Sequence, residues 1–275
     1  MAVSSQHRTR PAAVAGMFYA GDRSELARDL DALLGAAPRP APGAAVPKAI
    51  IAPHAGYIYS GPTAAAVYAL VAPACERITR VVLLGPTHRV AVRGLALPEA
   101  DVFATPLGPV PIDAEAVELL GPLPQVVVSA AAHAFEHSLE VHLPFLQTVL
   151  DSFRLVPLAI GSAEPTEVAE VLDMLWGGPE TLIVVSSDLS HYLPYREAQG
   201  VDRRTADAIL GLSTGILHDQ ACGATPVTGL NLAARRRGLA PRLVDLRNSG
   251  DTAGDRGRVV GYGAFAFFEG SADGR

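Results

Sequence analysis

Apolar positions along the chain fall into two kinds of run. KAIIAP, TRVVLLGP, RLVPLAIG and TLIVVSS are short, solidly aliphatic and bounded by proline, glycine or polar residues. Solid runs of this length are what strands buried on both faces show. Between them, apolar residues recur at helical spacing. Leu26, Leu30, Leu33 and Leu34 form one face that Gly35 stops, with Ser24 as the expected N-cap. GPTAAAVYALV, opened by Gly61-Pro62, predicts a second helix, and DAEAVELLG a short third. SLEVHLPFLQTVL reads as mostly helix, its start restricted by Pro144. EPTEVAEVLDMLWG and REAQGVDRRTADAILG follow as helices. Then comes VTGLNLAARRRG, opened by Pro226 and closed by Gly238. RGLALP and QVVVSA predict further strands. RLVDLRNSGD and RVVGYGAFAFFE end the chain as strands close enough to pair antiparallel at an edge. Residues 1–22 read as an irregular N-terminal arm, and APRPAPGAAVP as a loop rather than a linker. Strand and helix in alternation predict an α/β fold, with a largely parallel central sheet flanked by helices. No repeat or boundary interrupts it, so residues 1–275 read as a single domain.

Composition narrows the partners. The net charge of −6 argues against nucleic acid, whose binding rests on cationic contacts to phosphate. Apolar residues make up 49% of the chain and charged ones 18%, a globular balance rather than a disordered one. No run approaches the length of a membrane span, and the polar opening MAVSSQHRTR has no signal-peptide core behind it. Two cysteines, Cys75 and Cys222, make no disulfide framework, so a reducing, cytoplasmic setting is expected.

The histidines carry the chemistry. Open α/β sheets bind ligands beyond the carboxyl ends of their strands. His54 follows KAIIAP, His88 follows RVVLLGP, and Asp188 and His191 follow TLIVVSS. If those strands are neighbours, three imidazoles share one crevice. Converging imidazoles suit iron, copper or zinc, and an imidazole is also a base near neutral pH. Taken singly, each reads equally as a loop histidine bonded to a carbonyl. Cys222 precedes a helix opened near Pro226, where a thiol has a lowered pKa and can ligate a metal or attack as a nucleophile. It could also be a small buried thiol. Asp188 could orient a liganding imidazole or cap the next turn. AHAFEHSLEVHLPFL lacks the spacing of a zinc helix, since His137 and His142 lie on different faces. Glu136 and His137 precede the helix and could enter the crevice from a loop, or Ser138 could simply cap. Tyr57, after His54, is a further pocket candidate.

The stretches RPAAVAGMFYAGD, IIAPHAGYIYSGPTAA, VVLLGPTH, EHSLEVHLPFL, VVSSDLSHY and ACGATPV resemble the Memo-like family, whose bacterial and archaeal members are called AmmeMemoRadiSam system protein B. The resemblance spans residues from about 10 to 230. It implies a fold similar to the LigB-type class III extradiol dioxygenases, non-haem iron enzymes that hold iron with two histidines and a glutamate. By the same resemblance, the metal candidates here are His54, His88 and Cys222, with His191 as acid/base or extra ligand and Asp188 supporting it. The implied cofactor is one divalent ion, Fe(II) or copper, with zinc as an alternative. A thiolate in place of a carboxylate departs from the dioxygenase ligand set.

Three functions follow. One is a metal-dependent redox enzyme acting on a small molecule. A second is a non-catalytic, adaptor-like module that holds a peptide or small ligand in the same crevice. The third is a cysteine-dependent hydrolase with Cys222 as nucleophile and His191 as base. The family name also implies a functional link to a radical SAM protein.

Overall fold

The computed structural model describes residues 8–270. Residues 1–7 of the expected arm lie outside the described residues. The rest of the arm is tied down. Strand β1 (Thr9–Arg10) pairs in parallel with a later strand, and residues 14–19 pack on the domain. Helix α1 (Arg23–Ala36) begins one turn earlier than its leucines suggest. Asp22, not Ser24, is its cap, and its carboxylate accepts from the Ser24 and Glu25 amides at 2.9 and 3.0 Å. Strand β2 (Ala49–Ala52) leads into α2 (Tyr57–Tyr68), which opens at Tyr57 rather than at Gly61-Pro62. The Tyr57 amide bonds the Phe18 carbonyl, so the arm sets this start and Pro62 falls inside the helix.

Next come β3 (Arg80–Pro86), β4 (Leu95–Leu97) and an unexpected hairpin of β5 (Val102–Thr105) and β6 (Gly108–Pro111). Then follow α3 (Ala114–Leu120), β7 (Val126–Val128), α4 (Ala130–Ala134) and a single turn at Glu140–His142 that runs into α5 (Leu143–Val149). The second half holds β8 (Arg154–Ile160), α6 (Pro165–Leu175), β9 (Thr181–Ser186), β10 (His191–Leu193), α7 (Tyr195–Leu210), α8 (Ala224–Arg237), β11 (Ala240–Asn248) and β12 (Val259–Phe268). Gly238 closes α8 in the left-handed region, φ 67°, where a side chain would be strained.

Among the described residues the strands form two sheets. The small one is β1-β5-β6. The large one runs β10-β12-β2-β9-β3-β8-β4-β7, with β11 also paired to β12. Its centre, β2-β9-β3-β8, is parallel as expected. Its flanks make it mixed: β4 runs antiparallel to β8, and β12 antiparallel to β2 and β11. The last two strands do pair, but β12 sits inside the sheet, with β11 and the short β10 beyond it.

Side chains alternate between two cores. Ile50, Val81, Leu83, Leu182 and Val184 meet α1, α2 and α5 on one face. Ile51, Val82, Leu84, Ile183 and Val185 meet α3, α6, α7 and α8 on the other. Burial on both faces is why these strands are uninterrupted aliphatic runs. No helix of the described residues is long and apolar enough to cross a membrane.

Candidate functional site

Strand order places the chemistry. Because β2, β9 and β3 are adjacent and parallel, their carboxyl ends form one edge. His54, Asp188 and His88 each stand two residues past the end of one of them. Cys222 arrives from the other side, on the turn before α8. Its amide donates to the Asp188 carbonyl at 3.2 Å, and the Asp188 amide donates to Sγ at 3.3 Å. Gly223 makes this docking tight. A Cβ there would come within 2.6 Å of the Ser186 carbonyl oxygen and 2.7 Å of the Ser187 side chain.

His54, His88 and Cys222 each offer one donor atom, and these atoms lie within 4.8 Å of one another. His54 Nε2 is 3.4 Å from Cys222 Sγ, and the two imidazole rings are 5.2 Å apart. The hydrogen bonds behind them fix which nitrogen faces in. Ser186 Oγ donates to the Ser138 carbonyl at 2.6 Å, so it can only accept from His54 Nδ1, also at 2.6 Å. His88 Nδ1 lies 2.9 Å from Glu136 Oε1, an acceptor. Both rings therefore carry a proton on Nδ1 and turn Nε2 toward the centre, the arrangement that supporting acceptors impose on metal-binding histidines. His191 shares this pattern, with Nδ1 donating to the Leu189 carbonyl at 2.8 Å. It lines a crevice of about 610 Å³ with His88 and Cys222, but lies outside the three-atom group.

Burial sets the electrostatics of His54, and hydrogen bonds set those of Glu136. Burial, then the neighbouring histidines, hold His54 well below the usual imidazole range. Burial would raise Glu136, but hydrogen bonds from the His88 side chain and from the Ser138 and His88 amides outweigh it and bring it to about 2. Burial lifts Asp188 to about 6 against the pull of the His54 amide. That amide donates to Oδ1 at 2.8 Å, so Asp188 fixes the His54 loop rather than His191. Cys222 departs from expectation. Burial and the Asp188 charge push its thiol up to about 12, outweighing the N-terminus of α8, which begins two residues later. A bound cation would reverse this, since metals deprotonate the thiols they coordinate.

His137 enters from the loop before the turn at Glu140–His142, as one reading of the sequence had it. Its ring stacks on His88 at 4.6 Å and contacts Phe18 at 4.8 Å. His88, Glu136 and His137 form a second cluster of potential ligands. Glu136 Oε1, however, already accepts from His88 Nδ1 and from the His137 and Ser138 amides. That cluster is therefore a support for His88. Tyr57 turns away from the crevice. Its ring packs between Tyr19 and Phe145, and its hydroxyl donates to the Val141 carbonyl at 2.7 Å. His142 lies in the core against Tyr68. Sequence reasoning missed Ser186, Ser138 and Phe18, and also His218, Glu197 and Asp219 on the crevice wall. Only His218, four residues before Cys222, carried a usable signal.

The chemistry of the donor set fits a metal ion: two imidazoles, each oriented by an acceptor at Nδ1, and one sulfur, all within reach of a single centre. A family model described as Memo-like protein matches residues 10–266. A MEMO1 family protein of Aquifex aeolicus (strain VF5) is 40% identical over 268 residues, covering 93% of this chain and 97% of the relative. One from Archaeoglobus fulgidus is 35% identical over 271 residues, covering 92% and 97%. Among solved structures, the uncharacterized protein JW3007 from Escherichia coli K12 shares the fold. It has a TM-score of 0.53 at 15% identity and covers 79% of this chain and 98% of that one.

Proposed function

The chain belongs to the Memo-like family, and from that premise we propose that it is a metal-binding protein whose crevice carries out redox chemistry on a small molecule. His54, His88 and Cys222 would hold one divalent ion, Fe(II) or copper before zinc, since a sulfur with two imidazoles is a soft donor set. When bound, such an ion supplies a Lewis-acidic, redox-active centre. The residues around it do the rest. Asp188 fixes the His54 loop, Ser186 and Glu136 aim the two imidazoles, and His191 keeps Nε2 free toward the crevice to take or return a proton. The scaffold reading that accompanies this is an extradiol-dioxygenase-like one with an altered ligand set.

The observation that carries the proposal is the 4.8 Å convergence of three donor atoms whose imidazoles have their other nitrogen committed. Elemental analysis of protein purified without a tag tests it. Wild type should carry close to one equivalent of a single transition metal, and a His54→Ala/His88→Ala variant almost none. Equal trace metal in both would end this reading.

A second reading has one observation in its favour. Met17, Phe135 and Tyr192 are 72%, 73% and 62% exposed, on the loops that also carry Phe18, Glu136 and His191. An apolar rim of this kind suits a binding module for a peptide or ligand. Ligand capture that survives loss of His54, His88 and Cys222 would favour it. The hydrolase reading has no such support. Burial holds Cys222 as a thiol, and the imidazole beside its sulfur is His54, not His191.

A further inference from the structure

Glu140 is fully buried in the turn Glu140–His142, and every side-chain bond it makes goes to the N-terminal arm. Its carboxylate accepts from the Ala13 amide at 2.7 Å, the Val14 amide at 2.9 Å, the Tyr19 hydroxyl at 2.6 Å and the Arg10 guanidinium. Arg10, 5% exposed, spends its other donors on backbone. Nε reaches the His133 carbonyl at 2.9 Å and Nη2 the Glu136 carbonyl at 2.6 Å. The same Glu136 holds His88 twice, accepting from its amide at 2.5 Å and from Nδ1 at 2.9 Å. At the far end of the arm, the Phe18 carbonyl accepts from the Tyr57 amide at 2.7 Å, three residues past His54, and the Phe18 ring lies on His137. One segment of ten residues thus touches the residue that holds His88 and the start of α2 just past His54.

We propose that residues 10–19, locked by the Arg10–Glu140 pair, are a strap that positions His54 and His88, and that Arg10 and Glu140 are positioning residues of the centre. A buried ion pair is not needed merely to close a core, since well-packed apolar residues would serve as well or better. What an apolar substitute could not do is hold the Glu136 carbonyl and four arm donors in one register. The strap explains why the arm is ordered although it has almost no regular secondary structure. It also explains how two loops more than 30 residues apart in sequence come to present Nε2 atoms to one point.

The test uses the whole chain and two readouts, and only the second rests on the metal-binding reading. The first is hydrogen exchange at the His88 and Tyr57 amides in metal-free protein. The second is Co(II) affinity by competition titration. Arg10→Lys and Glu140→Gln should speed exchange at both amides at least tenfold relative to Val82 and Ile183 in the central strands. They should also weaken Co(II) binding by at least tenfold. Arg80→Ala breaks the Arg80–Asp113 pair at the opposite end of β3 and serves as a control of comparable Tm loss that should move neither. Tyr19→Phe removes a single Glu140 donor and keeps the test informative if the stronger variants do not fold; it should shift exchange in the same direction, several-fold. If Arg80→Ala speeds His88 and Tyr57 exchange as much as Arg10→Lys and Glu140→Gln do, exchange merely follows global stability and the strap is overturned. If wild type fails to bind Co(II), the metal reading falls while the exchange result still decides the strap.

Discussion

Two regions of this molecule bury polar groups, and they do so to opposite ends. In the knot around Glu140, donors and acceptors are matched. One carboxylate receives four donors, and Arg10 gives its remaining hydrogens to two carbonyls. In the crevice, the groups behind the imidazoles are matched but those in front are not. His54 Nε2, His88 Nε2 and Cys222 Sγ face one another with lone pairs and one thiol hydrogen among them. A closed network specifies and rigidifies a structure. Acceptors that outnumber the hydrogens between them mark a place for a cation. The contrast is more informative than residue type alone, since both regions contain histidine and glutamate, while the knot is buried and the crevice runs from buried His54 to exposed His88.

The comparison breaks most readily at the knot. Glu140→Ala leaves the Arg10 guanidinium buried without its partner and should cost about 3–5 kcal/mol. Urea unfolding of the metal-free protein measures it. A loss below about 1 kcal/mol would mean the knot is not the closed network described. The pH dependence of stability sharpens the same point. Burial brings His142 down to about 3 and His133 to about 4. Each is neutral in the folded chain and takes up a proton more readily when unfolded. Their contribution is complete above pH 6.5 and is lost as pH falls toward the folded values. At about 1.4 kcal/mol per pH unit, these shifts correspond to roughly 5 kcal/mol for His142 and roughly 3 kcal/mol for His133. His142→Phe should therefore flatten the stability profile between pH 6.5 and 3 by an amount of that order. An unchanged slope would show that His142 is not held neutral in the core.

Much of this was legible in the sequence because parallel strands buried on both faces must be solid aliphatic runs. Such runs end sharply, so His54, His88 and Asp188 could be placed at strand ends and brought to one edge. What was not legible depended on partners far away in the chain. The start of α2 is set by the Phe18 carbonyl, not by the local Gly61-Pro62 signal. The hairpin VFATPLGPVP carries three prolines, which suppress a strand reading, although Pro109 and Pro111 sit on β6 at the edge of the small sheet. The thiol of Cys222 was placed correctly relative to a helix, but its enclosure by Asp188 and Ser187 comes from 34 residues upstream and reverses the expected shift. Glu136 and Glu140 look alike in EHSLE. Only the fold assigns one to the His88 imidazole and the other to the arm.

That last pair gives the finest test of the contrast. Glu136 is part of the matched network and also the back of an unmatched centre. Its oxygens receive the His88 amide, His88 Nδ1 and the His137 and Ser138 amides, all of them donors. In Glu136→Gln, the amino group fits best in place of Oε2, where it meets only the His88 amide, because Oε1 serves the three other donors. The His88 amide then loses its acceptor, and Nδ1 is held by a neutral carbonyl in place of a carboxylate. The imidazole loses both its fixed position and part of its basicity toward the centre. Loss of an orienting partner of this kind typically lowers metal affinity about 10–100-fold. Competition titration with Co(II) reads the change directly, while urea unfolding of the metal-free variant should shift less than for Glu140→Ala. Affinity within twofold of wild type would show that His88 does not need the Glu136 carboxylate to hold its place, and the distinction between the two glutamates would fall with it.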